Sequence, residues 1–120
     1  MIILSGAGCG LSSIVLAMQG YRVVSTDKSS VIKLTEKNIF DNLRRMSIND
    51  KNMDGKINLV TCVDLNWDSI DALDPHVVKG VIKSDFDIIL MSDCIYQSSS
   101  IEPLMKTIKM VSDIYDRMST

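Results

Sequence analysis

The stretch "SDCIYQ" sets a carboxylate, Asp93, three residues before a phenol, Tyr96. An ionised Asp can orient an amine, and Tyr offers an aromatic face or an acceptor oxygen beside developing positive charge. The same two residues also read as a loop cap and a half-buried core aromatic. A second group opens the chain, "IILSGAGCGLS", with Gly6, Gly8 and Gly10 after an aliphatic run. A glycine loop between a strand and a helix presents backbone N–H groups and the positive end of the helix dipole to a ligand, with no side chain in the way. Asp27 follows roughly 20 residues later, at the end of the next apolar run, where an acid can accept hydrogen bonds from both hydroxyls of a ribose. Loop and acid together describe a nucleoside site. In "VDLNWD", Asp64 can accept from an exocyclic amine and Trp67 can cover an adenine face.

A nicotinamide dinucleotide site is the alternative within this geometry, and its G-x-G-x-x-G pattern needs a third glycine for close packing of helix on strand. Counted from Gly6 that position is Leu11, and counted from Gly8 it is Ser13, so the pattern here is G-x-G-x-G. His76, the single histidine, stands in "DPHVVKG", so a histidine-based metal site or a Ser-His-Asp triad would have to centre on it.

These residues need elements to position them, and the apolar period changes along the chain as it would for alternating strand and helix. Residues 1–5 read as a strand. Leu11, Ile14, Val15 and Met18 form one helical face, and Gly20 can close that helix. "YRVVSTD" is a second strand. Ser29 and Ser30 are candidate N-caps for a helix with Ile32, Glu36, Ile39 and Leu43 on one side. "RRMSINDKNMDGK" reads as a solvated connection with a turn at Asp54-Gly55. "INLVTCVDL" is a third strand, a short helix is expected around Ser69 to Leu73, and "FDIILMSD" is a fourth strand. Ser99 and Glu102 have capping-box spacing before a final helix with Leu104, Ile108, Val111 and Tyr115 on its face and Pro103 in its first turn. Strands alternating with helices imply a Rossmann-like α/β unit on a parallel sheet, because parallel neighbours need long crossovers.

At 120 residues, 46% hydrophobic and 23% charged, the chain has the size and composition of one packed domain. A formal charge of −2 supplies no global attraction for nucleic acid or an anionic membrane, and no apolar run reaches the ~18 residues of a span. Small molecules or proteins are the expected partners. Lys37, Arg44 and Arg45 read as a solvated helix face. Cys9, Cys62 and Cys94 form no C-x-x-C pair, so reduced thiols in the cytoplasm or nucleus are expected.

"LSGAGCGL", "VVSTD", "VDLNW" and "FDIILMSDCIY", in this order and spacing, resemble class I, seven-β-strand S-adenosylmethionine-dependent methyltransferases. The likeness runs from residue 1 to about residue 112 and is strongest to the branch that methylates lysines of non-histone proteins. It implies S-adenosyl-L-methionine as cofactor and strand order 3-2-1-4. It places Gly6, Ala7 and Gly8 along the cofactor, Asp27 on its ribose, and Trp67 and Ser92 beside the adenosyl group. Gly10, Lys28, Asp64 and Leu65 complete the expected cofactor-binding set. Asp93 and Tyr96 match the D-x-x-Y motif that lines the entrance for the target amine, and are the expected catalytic pair. The motif lacks the paired prolines of the D-P-P-Y and N-P-P-Y forms that act on bases or glutamine amides, which favours lysine.

The resemblance implies a protein substrate, the charge and hydropathy give no nucleic-acid or membrane partner to expect, and methyl transfer requires no metal. Methyl transfer moves a carbon in line from a sulfonium to a nucleophile, so alignment and exclusion of water are the main tasks. A lysine amine, of reference pKa ~10.4, must first lose its proton, which a desolvated site beside a sulfonium favours. Two departures stand out: Leu4 occupies the position where the family places an acid, and the match starts at the first strand. A chain shorter than the family's domain at both ends is therefore expected, with strand 4 an open apolar edge and Cys9 near Cys94. A cofactor- or protein-binding fragment without turnover is the second functional reading, and a nicotinamide-dependent oxidoreductase the third.

Overall fold

The aliphatic runs become strands that are buried on both faces at the centre of the sheet. All of β1 (Ile2–Ser5) and the first four residues of β2 (Val23–Asp27) are buried, as expected of parallel strands covered on both sides. The computed structural model describes residues 2–67, 87–91, 99 and 101–119, with 114–119 described for their backbone. β3 (Val60–Asp64) and β4 (Ile88–Met91) complete a parallel sheet of order β3-β2-β1-β4. The register sets Ser5 beside both Thr26 and Met91, and Asp27 beside Asp64. The strands thus end together, on the side where the glycine loop begins.

Helix α1 (Leu11–Met18) buries a different face from the one its large residues suggest. Ser13, Ile14 and Ala17 are buried, whereas Leu11 is 64% exposed and Val15 and Met18 are also exposed. The reason is close approach: the helix meets its neighbours through small residues, and the buried Ser13 hydroxyl is satisfied by that of Ser25 in β2. After the helix, Gly20 N–H donates to Ala17 O at 3.0 Å and Tyr21 N–H to Leu16 O at 3.1 Å, a Schellman closure at the expected glycine.

Helix α2 (Ser29–Asn49) begins without a side-chain cap, so Ser29 and Ser30 are its first residues and Lys28 its extended N-cap. Its buried line is Ile32, Thr35, Ile39 and Leu43, with Thr35 in place of the expected Glu36, which is exposed. The helix also runs through the start of the segment read as a solvated connection. Met46, packed against the core, extends the buried line by one turn. On the outer face Lys37 donates to Asp41 at 2.8 Å, and this bond holds the Asp41 carboxyl below its ordinary value. Such exposed pairs contribute little to stability.

Leu4, Val23 and Val60 of the sheet pack with Ile14 and Ala17 of α1 and Ile39 and Leu43 of α2. Each Val, Leu or Ile side chain among them, fully buried, stabilises by about 1.5–3 kcal/mol. Two short 3-10 turns, Lys51–Met53 and Lys56–Leu59, lead into β3, the second occupying the first residues of the expected third strand. Helix α3 (Ile101–Ser119) carries Pro103 near its start and buries Leu104, Thr107 and Val111, with Ile108 half-buried. The Tyr115 side chain, the expected helix at Ser69 to Leu73, and His76 lie outside the described residues. Among the described residues β4 pairs with β1 alone, and its Ile88, Leu90 and Met91 are exposed, the open apolar strand anticipated from the order. No helix among the described residues is long and apolar enough to cross a membrane.

Two outcomes test this packing. A Cβ at Gly10, whose φ is +91°, would lie 2.6 Å from Ile39 Cγ1 and 3.3 Å from Thr35 O. Gly10→Ala should therefore cost about 2–4 kcal/mol in urea unfolding, combining backbone strain and overpacking. Burial, and secondarily the Glu36 charge, pushes the Cys62 thiol from 9.0 to about 11. The folded state thus holds this proton more tightly than the unfolded chain. The contribution is present below pH 9 and is lost as pH rises through about 11; Cys62→Ala should flatten that alkaline loss in pH-dependent unfolding.

Candidate functional site

The strand order fixes where a ligand can sit. From β1 the chain steps to β2 and β3 on one side, then returns to β4 on the other, so strand order reverses between β1 and β4. Ligands of open α/β sheets bind beyond the carboxyl ends of the strands at such a point. The described residues there are Ser5, the glycine loop and Met91, the last residue of β4 and the register partner of Ser5.

The loop is tied down on two sides. Toward the sheet, Ala7 N–H donates to Thr26 O at 2.9 Å and Gly8 N–H donates to Asp27 Oδ2 at 2.9 Å. The other carboxylate oxygen of Asp27 accepts from Lys28 N–H at 2.8 Å, and its backbone carbonyl accepts from Leu65 N–H at 2.8 Å. Asp27 is thus the junction of loop, β2 and the end of β3. A carboxylate has about four acceptor positions, so accepting these two N–H groups leaves capacity for hydroxyl donors. Toward α2, the Thr35 hydroxyl donates to Gly8 O, and Asn38 Nδ2 donates to Cys9 O at 3.2 Å. Gly8 itself, at φ +57°, has open space where a Cβ would stand. No side chain caps the N-terminus of α1, so its first N–H groups keep their partial positive charge.

Trp67 closes the other flank. Its indole Nε1–H donates to Ser5 Oγ at 3.0 Å, across 62 positions of sequence, which holds the half-buried ring beside the end of β1. The buried Leu65, 4% exposed, anchors the segment leading to it. Asp64 and Lys28 are exposed at the same end of the sheet.

The fold therefore brings Gly6, Ala7, Gly8, Asp27, Asp64, Leu65 and Trp67 to one end of the sheet. Gly10 belongs there by position, but its Cα faces Ile39 and its N–H donates to Ala7 O at 3.0 Å, so packing accounts for this glycine. Leu4 is 4% exposed, an apolar member of the core cluster that brings no carboxylate to this end of the sheet. Ser92, Asp93 and Tyr96, with Cys94, lie outside the described residues. Three residues escaped the sequence reading: Ser5, Thr35 and Asn38. Their signal was polarity at positions that pattern reading assigns to strand interior and helix surface.

Comparison with known proteins decides the family. Residues 1–118 match the family described as lysine methyltransferase. The chain belongs to the lysine methyltransferase family. Two relatives from Cryptococcus neoformans var. neoformans serotype D, strains B-3501A and JEC21, are each named protein N-terminal and lysine N-methyltransferase EFM7. Each is 34% identical over 107 residues, covering 87% of this chain and 32% of the relative. The chain thus spans about a third of the length of these relatives. Family membership removes the nicotinamide oxidoreductase reading and agrees with the missing third glycine. The α/β sheet of order 3-2-1-4 is the architecture the resemblance implied.

Trp67 is the only tryptophan, so its emission reports on the site directly. Ser5→Ala should shift that emission and lower stability by about 0.5–1.5 kcal/mol, the net worth of one hydrogen bond. Fluorescence spectra and urea titration of the two proteins check this, and an unchanged spectrum would contradict the Trp67–Ser5 bond.

Proposed function

We propose that this chain binds S-adenosyl-L-methionine at the carboxyl ends of β1–β3 and transfers its methyl group to a lysine side chain of a protein substrate. The observation that carries the reading is the placement of Asp27. One carboxylate organises the glycine loop through Gly8 N–H and keeps acceptor capacity for ribose hydroxyls, with Trp67 held beside the loop by Ser5. The open space at Gly8 and the uncapped start of α1 suit an adenosyl ligand there. Membership of the lysine methyltransferase family supports the same cofactor class and a protein substrate.

In this reading Gly6, Ala7 and Gly8 line the methionyl side of the ligand, Asp27 holds the ribose, and Asp64, Leu65 and Trp67 border the adenine. Lys28, whose N–H is bonded to Asp27, borders this set, and the family resemblance adds Ser92 to the adenosyl contacts. When bound, S-adenosylmethionine supplies an electrophilic methyl carbon on a sulfonium. Asp93 orients the incoming amine by accepting its hydrogen bond, and Tyr96 presents its ring face toward the positive charge that develops on nitrogen. The amine must arrive unprotonated, which for lysine means displacing a pKa of about 10.4. The name of the Cryptococcus relatives adds protein N-termini as acceptors for those proteins. An α-amine, of pKa about 7.7–8.0, needs less help to lose its proton, so the same site could serve both.

Titration with S-adenosylmethionine should change Trp67 fluorescence saturably, and Asp27→Ala should weaken binding by about tenfold or more, roughly 1.4 kcal/mol. NAD should give no response. Binding of NAD with no response to the methyl donor would sink the proposal. Radiolabelled methyl transfer into lysine-bearing proteins should be lost on Asp93→Ala. Cofactor binding without any labelling by the unsubstituted chain would instead indicate a binding fragment.

A further inference from the structure

Three successive loop residues are held by one stretch of one helix. Thr35 donates its hydroxyl to Gly8 O, Asn38 Nδ2 donates to Cys9 O at 3.2 Å, and Ile39 packs against the Cα of Gly10, leaving no room for a Cβ. Thr35 is fully buried, so its hydroxyl has no competing water, while Asn38 is half-buried. These residues lie at i, i+3 and i+4, one side of α2. On the opposite side Gly8 N–H is fixed by Asp27.

The direction of these bonds matters more than their number. The chain contains no cis peptide among the described residues, and in a trans peptide the carbonyl and the N–H point in opposite directions. With the Gly8 carbonyl fixed on Thr35, the N–H of the same peptide, which belongs to Cys9, points away from α2. Cys9 N–H has no hydrogen-bond partner among the described residues, unlike the N–H groups of Ala7, Gly8 and Gly10. A loop with an unheld Gly8–Cys9 peptide could rotate it and offer a carbonyl where a donor stands now.

We propose that Thr35 and Asn38 are positioning residues of the cofactor loop, which hold the Gly8 and Cys9 carbonyls on α2 so that Cys9 N–H is presented to the bound ligand. The inference rests on the S-adenosylmethionine reading above for the identity of the ligand, but not for the state of the loop. Neither residue touches the cofactor; both act through the loop backbone. The loop is ordered before the ligand arrives, so ligand binding does not have to supply the entropy of ordering it.

The test has two arms on the full chain. In the ligand-free protein, Thr35→Val, which keeps the shape and removes the donor, should accelerate amide hydrogen exchange at the bonded Gly8 and Gly10 amides about tenfold or more, with exchange in β1 and β2 unchanged. Thr35→Ser, which retains the hydroxyl, should restore slow exchange. In calorimetric titration, Thr35→Val and Asn38→Asp should each raise the Kd for S-adenosylmethionine several-fold, and Thr35→Ser should not. If Thr35→Val fails to fold, Asn38→Asp, at a half-buried position, carries both arms. Unchanged loop exchange and unchanged affinity would overturn the inference. An unsubstituted chain that ignores S-adenosylmethionine would overturn the cofactor reading, while the exchange arm would still decide whether α2 holds the loop.

Discussion

The hydrogen bond from Gly8 N–H to the Asp27 carboxylate is the contact on which the rest of the site depends. It joins the loop that follows β1 to the last residue of β2, and those strands are locked in register from Ile2 to Ser5. Bonds to an ionised acceptor contribute about 1.5–3 kcal/mol where water is partly excluded. Loop position is therefore inherited from the sheet rather than found anew by the ligand. The same carboxylate accepts Lys28 N–H, and the Asp27 carbonyl accepts Leu65 N–H, so the ends of β1, β2 and β3 share one junction.

Around that junction the packing is unusually dependent on small residues. Gly10 lies against Ile39, Ser13 meets Ser25, and Ala17 is wholly buried, which brings α1 and α2 close to the sheet and to the loop. Larger side chains at these positions would push the helices outward and take Thr35 away from Gly8 O. The close approach also explains why α1 leaves Leu11, Val15 and Met18 exposed: the buried face of the helix is chosen by backbone proximity rather than by side-chain size. Ser5 follows a similar logic. A hydroxyl at the end of β1 is buried, and the indole N–H of Trp67 uses it as an acceptor, so a buried polar residue at a strand end becomes a fixed point for an aromatic far along the chain.

Local chemistry explains which parts of the architecture could be read in advance. The four strands were visible as aliphatic runs, the close of α1 as a glycine, and the loop with its acid as a spacing. The length of α2 was not visible, because Asp, Asn and Arg dominate its last turns and only the contact of Met46 with the core reveals their helical state. The start of β3 lies later than its apolar run implies for a related reason: Lys56–Leu59 has strand-like apolar residues but closes a 3-10 turn behind Gly55. Thr35 in the buried line of α2, where Glu36 was expected, is the clearest case. Helical period alone places both residues near the face, and only the loop carbonyl beside it shows why a hydroxyl is buried there.

By itself the sequence determined the alternation of strand and helix, the glycine loop, the acid at the end of β2, and the tryptophan after β3, because each follows from residue type and short-range spacing. It also carried the motif set by which membership of the lysine methyltransferase family was anticipated. The tertiary structure alone decided that Asp27 spends part of its carboxylate on Gly8, that Ser5 holds Trp67, and that Thr35 and Asn38 hold the loop from α2. Those are contacts between residues 19 to 62 positions apart. Periodicity describes one element at a time, so contacts of this reach appear only once strand order and register have set which elements meet.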